Sequence, residues 1–223
     1  MFSQNFREMS RADNFNGYSY NVVLLVKGTL IFGGPIPMPK ILMPIGDAAE
    51  VNDTFYAYFR LPEDGYEVVV AGPEARWYNM VLHEPPPQST PPWDCTQERP
   101  GYHIEATIAF RDVQVEEYAG IFVTGGRAPE YIRLDQDLLR ITRYFLDNNM
   151  PVASVCTGMQ LLTAAGIKGR RITCAPKFSS DIEHAGAEFV NEMVVVDGNL
   201  VSGCTWHANT ELLKEFLKIL KNQ

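Results

Sequence analysis

The chain is predicted to fold as an α/β domain with a mostly parallel central sheet covered by helices on both faces. Three observations predict it. Short apolar runs alternate with amphipathic segments along most of the chain. Two of the runs end in glycine-rich turns, Gly125-Gly126 and Asp64-Gly65. A third, Val152–Val155, runs straight into Cys156-Thr157-Gly158, a sharp strand-to-helix turn.

Lys40–Ile45 reads as the first strand. Glu50–Leu61 reads as a helix with Phe55, Tyr58 and Phe59 on its inner face, stopping near Asp64-Gly65. Glu67–Ala71 and Ile121–Thr124 are further strands, and Leu134–Leu146 is an amphipathic helix with Leu138, Ile141 and Phe145 on one stripe. Met159–Gly166 is a short helix stopped by glycine. Met193–Val196 and Leu200–Ser202 flank Asp197-Gly198-Asn199 as a hairpin, and Asn209–Lys221 closes the chain as a helix capped by Asn209 or Thr210. Gly72–Gly101 breaks the rhythm with Pro85-Pro86-Pro87, Pro91-Pro92, Trp77, Trp93 and Cys95. It reads as a long inserted loop over a site or in a subunit interface.

At 223 residues the chain is one domain, 38–223, preceded by an extension over 1–37 that is expected to be accessory or disordered. The apolar run in that extension is broken by Lys27-Gly28, too short for a membrane span. A net charge of −8 argues against nucleic-acid binding. The 4 cysteines lack a CxxC pair, which suggests reduced thiols in a cytoplasmic protein and neither a disulfide framework nor a metal site. No phosphate loop or dinucleotide fingerprint is present, so no cofactor is expected.

Cys156 is the candidate nucleophile. At the elbow its sulfur stands at a helix N-terminus, where the partial positive charge favours thiolate. A free cysteine is also often just a small buried hydrophobe. The amides of Gly126 and Thr157, with Gly125 allowing close approach, are candidate oxyanion donors. The protonation partner is open: the histidines are His83, His103, His184 and His207, none adjacent to Cys156 in sequence, and Glu50 opens the first helix.

The elbow, the segment Gly125-Gly126-Arg127-Ala128-Pro129-Glu130, and Ala185-Gly186-Ala187-Glu188 followed by Val194–Asn199 together resemble the ThiJ/PfpI family of the class I glutamine amidotransferase-like superfamily. The resemblance implies a flavodoxin-like three-layer sandwich that assembles into homodimers or larger homo-oligomers. It also implies a small-molecule substrate, with Cys156 as reactive cysteine, Glu50 as its acidic partner and Gly126 and Thr157 as oxyanion donors. PfpI-type peptidases carry histidine directly after the cysteine, paired with a glutamate of a neighbouring subunit. Here that histidine is Thr157, while Glu130 keeps the glutamate position. Ala175 stands before Pro176 where some members have histidine. Cys204 replaces an arginine in Gly203-Cys204-Thr205-Trp206-His207, with Trp206 and His207 nearby as pocket candidates alongside Arg127 and His103. Threonine cannot act as a base near neutral pH, which disfavours the peptidase. The resemblance therefore points to glyoxalase III-like or deglycase-like conversion of 2-oxoaldehydes to hydroxy acids. Isonitrile hydration, where the acid is usually aspartate, is an alternative, as are a peptidase and a non-enzymatic redox sensor in the stress response.

Overall fold

The computed structural model describes residues 18–19, 22–26, 29–32, 36–84, 88 and 96–223. The extension expected to be accessory or disordered lies mostly outside them. Of it the backbone gives two antiparallel pairs, Val22–Val26 with Thr29–Phe32 and Tyr18–Ser19 with Ile36–Pro37.

The central sheet has 7 strands. In chain order its first strand is β1 (Lys40–Pro44), followed by the short β2 (Ala49–Glu50) outside it and α1 (Val51–Glu63). Next come β3 (Glu67–Gly72), the hairpin β4 (Trp77–Glu84) and β5 (Gln97–Glu105), β6 (Ile108–Ala109) and β7 (Tyr118–Val123). Then follow α2 (Ala128–Ile132), α3 (Gln136–Asp147), β8 (Val152–Val155) and α4 (Met159–Ala165). A small parallel pair, β9 (Arg171–Ile172) and β10 (Glu188–Phe189), brackets α5 (Ser179–His184). The chain closes with β11 (Val194–Asp197), β12 (Leu200–Gly203) and α6 (Asn209–Lys221). The central order is β6-β3-β1-β7-β8-β12-β11, parallel throughout except for the edge pair β11/β12. This is a flavodoxin-like doubly wound sheet.

Strand alternation divides the core in two. Ile41, Met43, Phe122, Ala153, Val155 and Val201 face α1 and α6, meeting Ala57, Leu61, Leu213 and Phe216. Leu42, Ile121, Val123, Val152 and Leu200 face α3, α4 and α5, meeting Leu138, Ile141, Phe145, Leu161 and Ile182. Each strand is apolar on both faces because both are covered.

Three expectations need correction. The inner stripe of α1 is Val51, Asp53, Thr54, Ala57 and Leu61, and Phe59 is 61 % exposed. Phe55 and Tyr58 are half-buried and pack against the edge of this core, and they stack with the exposed Phe59 and with Tyr102 toward the outer side. Stretch 72–101 is not a loop throughout: β4 and β5 pair antiparallel from Trp77/Glu105 to Glu84/Gln97, and Ala49–Glu50 adds to β4 in parallel. A mostly exposed β5 with Pro100 inside it shows no apolar alternation, so the sequence pattern hid the strand. Finally, α6 has no side-chain cap; Asn209 Nδ2 donates instead to the carbonyl of Asn52, 3.0 Å away, tying α6 to α1.

The order places β1 between β3 and β7, so the chain changes direction across the sheet there. The crevice beyond the carboxyl ends of β1 and β7 is where doubly wound sheets bind their ligands.

Phe216 is fully buried and packs against Phe122 at 6.3 Å between ring centres. Phe216→Ala should cost about 3–5 kcal/mol of stability in urea unfolding; a loss under about 1 kcal/mol would show that this face collapses around the gap.

Candidate active site

Three loops meet at that crevice. The loop after β1 leads through Gly46 to Glu50, which caps α1: its Oε2 accepts from the Asp53 amide at 2.7 Å. The loop after β7 carries Gly125 and Gly126. The elbow after β8 carries Cys156, which adopts φ +57°, a left-handed conformation costly for a non-glycine residue. The turn continues as a tight helical turn over Cys156–Gly158 before α4.

Gly125 and Gly126 are required by contact as well as by conformation. A Cβ on Gly125 would lie 2.6 Å from Cys156 Cβ and closer still to Asp53 Oδ2. Gly126 has φ +85°, and a Cβ there would lie 2.5 Å from the Ala48 carbonyl oxygen. The loops are sewn together by Glu50 N–H donating to Gly125 O at 3.2 Å and Arg127 N–H to Ala48 O at 2.8 Å. The Thr157 hydroxyl donates to the Gly126 carbonyl, locking the elbow to the glycine loop.

The carboxyl that acts on the cysteine is that of Asp53, a residue sequence reasoning passed over. It is completely buried, and neither carboxyl oxygen has a hydrogen-bond partner among the described residues. Burial first, and then the charge of Glu50, push its pKa well above the usual carboxylate range. Glu50 is also buried and raised, chiefly by desolvation, while the Asp53 amide and His83 act against the rise. A signal for Asp53 existed. Asp53, Ala57 and Leu61 recur every four residues, so an acid occupies an apolar stripe position. Phasing the helix on its aromatics concealed it.

Cys156 is half-buried, so its sulfur is reachable, yet enough protein surrounds it to strip most of its solvent. Burial, followed by the Asp53 charge, pushes the thiol up to about 12, while the Thr157 and Gly126 amides and the Thr157 hydroxyl pull the other way. Burial therefore opposes the thiolate expected at the elbow. The elbow feeds a helix of only 7 residues, and its end charge is small against desolvation.

The remaining residues sit further out. Arg127 and Glu130 are exposed at the rim, with Arg127 Nε 3.4 Å from Glu130 and its Nη2 donating to the Tyr131 hydroxyl at 2.7 Å. His103 is exposed on β5, and His207 is exposed with Nδ1 3.3 Å from the Thr205 hydroxyl. Cys204 Sγ approaches Met193 Sδ at 3.4 Å. Trp206 lines an open groove of about 670 Å³ along the outer side of α1 with Val51, Asn52, Phe55 and Phe59. Cys156 is not among the residues that line this groove. No hydrogen bond or ion pair joins His103, His207 or Cys204 to Cys156 among the described residues. Among those residues there is no cluster of three or more His, Cys, Asp or Glu arranged to hold a metal, and no helix long and apolar enough to cross a membrane.

A flavodoxin-like sheet with a cysteine elbow, paired glycines and a buried carboxyl at the switch point defines the class. Within that class the chain belongs to the DJ-1/PfpI family, whose sequence signature matches residues 39–219. It is 33% identical over 183 residues to a deglycase of Pyrococcus abyssi, spanning 82% of this chain and 99% of that one. It is 29% identical over 219 residues to protein DJ-1 homolog D of Arabidopsis thaliana, covering 94% of this chain and 54% of that longer protein. Among solved structures, a ThiJ/PfpI domain protein from Brachyspira murdochii superposes with a TM-score of 0.69 at 19% identity, covering 83% of this chain and 97% of that one.

Two outcomes follow for Asp53. Alkylation of Cys156 by iodoacetamide, followed by mass spectrometry, should keep accelerating with pH through the alkaline range in the parent. In Asp53→Asn the rise should come at lower pH, because the charge that raises the thiol is gone; an unchanged profile would refute the pairing. The second outcome concerns stability. A carboxyl whose folded pKa is raised binds its proton more tightly folded than unfolded. Its contribution is intact below the unfolded value and is lost as pH climbs from there toward the folded value. Asp53→Asn should therefore melt at a higher temperature than the parent at pH 7, with the difference vanishing in acid.

Proposed function

We propose that this protein is a cysteine-dependent enzyme acting on 2-oxoaldehydes or their adducts, in a deglycase-like or glyoxalase III-like role. The observation that carries the reading is the desolvated Cys156 sulfur beside the buried Asp53 carboxyl, whose pKa is raised, under two backbone donors. The names of the relatives support it: several curated relatives, including that of Pyrococcus abyssi, are named deglycases.

The chemistry balances without an external oxidant. The sulfur adds to the aldehyde carbon, and the carbonyl electron pair moves onto oxygen, facing the Gly126 and Thr157 amides. The thiol proton passes to one oxygen of Asp53 as the Asp53 proton leaves its other oxygen for the new alkoxide. The proton on the former aldehyde carbon then moves to its neighbour through an enediol, with a carboxylate of the Asp53/Glu50 pair as carrier, leaving a thioester. Water cleaves the thioester to a 2-hydroxy acid and regenerates the thiol. A neutral acid next to a neutral thiol suits this relay better than it suits peroxide sensing, which needs a thiolate. Assembly into homodimers or larger homo-oligomers belongs to the same reading, with Arg127 and Glu130 standing exposed at the rim.

One observation favours a second reading. The acid against the cysteine is an aspartate and the residue after it is threonine, the combination that the family resemblance associates with isonitrile hydration. There the thiol would add to the isonitrile carbon and water would release an N-substituted formamide.

The test is consumption of methylglyoxal and formation of lactate, run beside an aryl isonitrile. Cys156→Ala should be inactive, and Asp53→Asn should lose about a hundredfold in kcat. A Cys156→Ala protein that consumed methylglyoxal at the parent rate would sink the proposal, and turnover of the isonitrile alone would transfer it to the second reading.

A further inference from the structure

Glu50 is a completely buried carboxyl, one residue layer behind the Asp53/Cys156 pair, and it has work to do only if its proton can leave. Its surroundings offer few exits. Its oxygens accept from the Asp53 amide at 2.7 Å and Asn52 Nδ2 at 3.2 Å, and its own amide is held by Gly125 O. The titratable groups that face it are Asp53 on α1, which is more deeply buried, and His83 on β4. The strand register explains His83. Glu50 pairs with Val81 in the parallel β2/β4 ladder, so His83, two residues on, lies on the same side of the strand and runs along the Glu50 carboxyl.

His83 is itself held from outside. Its Nε2 lies 3.3 Å from Glu98 on the partner strand β5, where His83 and Glu98 are directly paired. Glu98 in turn reaches Arg127 at 3.7 Å, the residue after the oxyanion glycine. Side-chain exposure climbs along this chain, from 17 % at His83 to 35 % at Glu98 and 45 % at Arg127. An imidazole with one nitrogen fixed on a carboxylate, on the strand face that Glu50 shares, has the setting of a base held by its orienting partner.

We infer that His83, oriented by Glu98, is a positioning residue that exchanges protons between the buried Glu50 carboxyl and solvent. It serves the site from the hairpin, because Thr157 at the elbow cannot. The step balances: a proton leaves a Glu50 oxygen for the lone pair on Nδ1, directly or through one water, while the Nε2 proton passes to Glu98 or to solvent. A tautomer exchange then resets the ring. The inference deepens the proposed function and rests on it for the turnover it serves, but the contact itself is testable without any substrate.

In full-length protein with labelled glutamate, the Glu50 carboxyl signal is identified by its loss in Glu50→Gln and followed through pH by carbon NMR. Loss of the facing imidazole should move its midpoint by about half a unit or more in His83→Gln. A Glu50 midpoint unmoved in that variant overturns the inference, whatever the aldehyde assay gives. In the assay, His83→Ala should lose about tenfold in kcat with KM within about twofold, and added imidazole should recover part of the loss. His83→Gln, which keeps the bulk of the ring without its proton chemistry, should stay slow; parent-like turnover there would reduce His83 to packing and overturn the inference. If the parent consumes no methylglyoxal, the proposed function fails while the Glu50 titration still decides on His83.

Discussion

Desolvation of one acid against one thiol is the constraint on which the rest of this site depends. Asp53 is buried without a partner for either oxygen, and Cys156 is held beside it on a strained elbow. Burial raises the pKa of both groups because charge is unfavourable there. An unpartnered buried carboxyl persists only where the surrounding structure overdetermines it. Here that structure is the junction of three loops, pinned by Glu50 N–H on Gly125 O, Arg127 N–H on Ala48 O and the Thr157 hydroxyl on Gly126 O. The glycines at 125 and 126 leave no room for a side chain, so the acid, the thiol and the donors approach one another directly.

The fold supplies this junction because β1, β7 and β8 are adjacent and parallel, which brings their carboxyl ends to one edge. The two core layers fix the strands from both faces, and Asn209 ties α6 back to the first turn of α1. The hairpin β4/β5 is the addition that distinguishes the rim. It joins the scaffold through Ala49–Glu50, beside the cap of α1, so a strand outside the main sheet is attached to the helix that carries Asp53. Its His83–Glu98 pair then stands where the buried carboxyls meet solvent.

Most of the architecture was legible from sequence. The elbow, the hairpin around Gly198 and the closing helix are found where apolar periodicity and turn residues put them. Two features were hidden for physical reasons. The aromatics of α1 flank its buried stripe, Phe55 and Tyr58 at its edge and Phe59 outside it, so hydrophobicity alone shifted the phase of the helix and passed over Asp53. In β5 only Ile104 is buried, so neither alternation nor an apolar run marked it as a strand.

The sequence by itself determined the parallel α/β class and the strand-to-helix turn that carries Cys156 beside the paired glycines. Glycine pairs and strand-to-helix turns are local requirements, written in a few consecutive residues. Only the tertiary structure decided the burial of Asp53 and Glu50 and the hairpin pairing that carries His83. These depend on burial and on which loops meet, and no local pattern encodes the solvent that a folded neighbour removes.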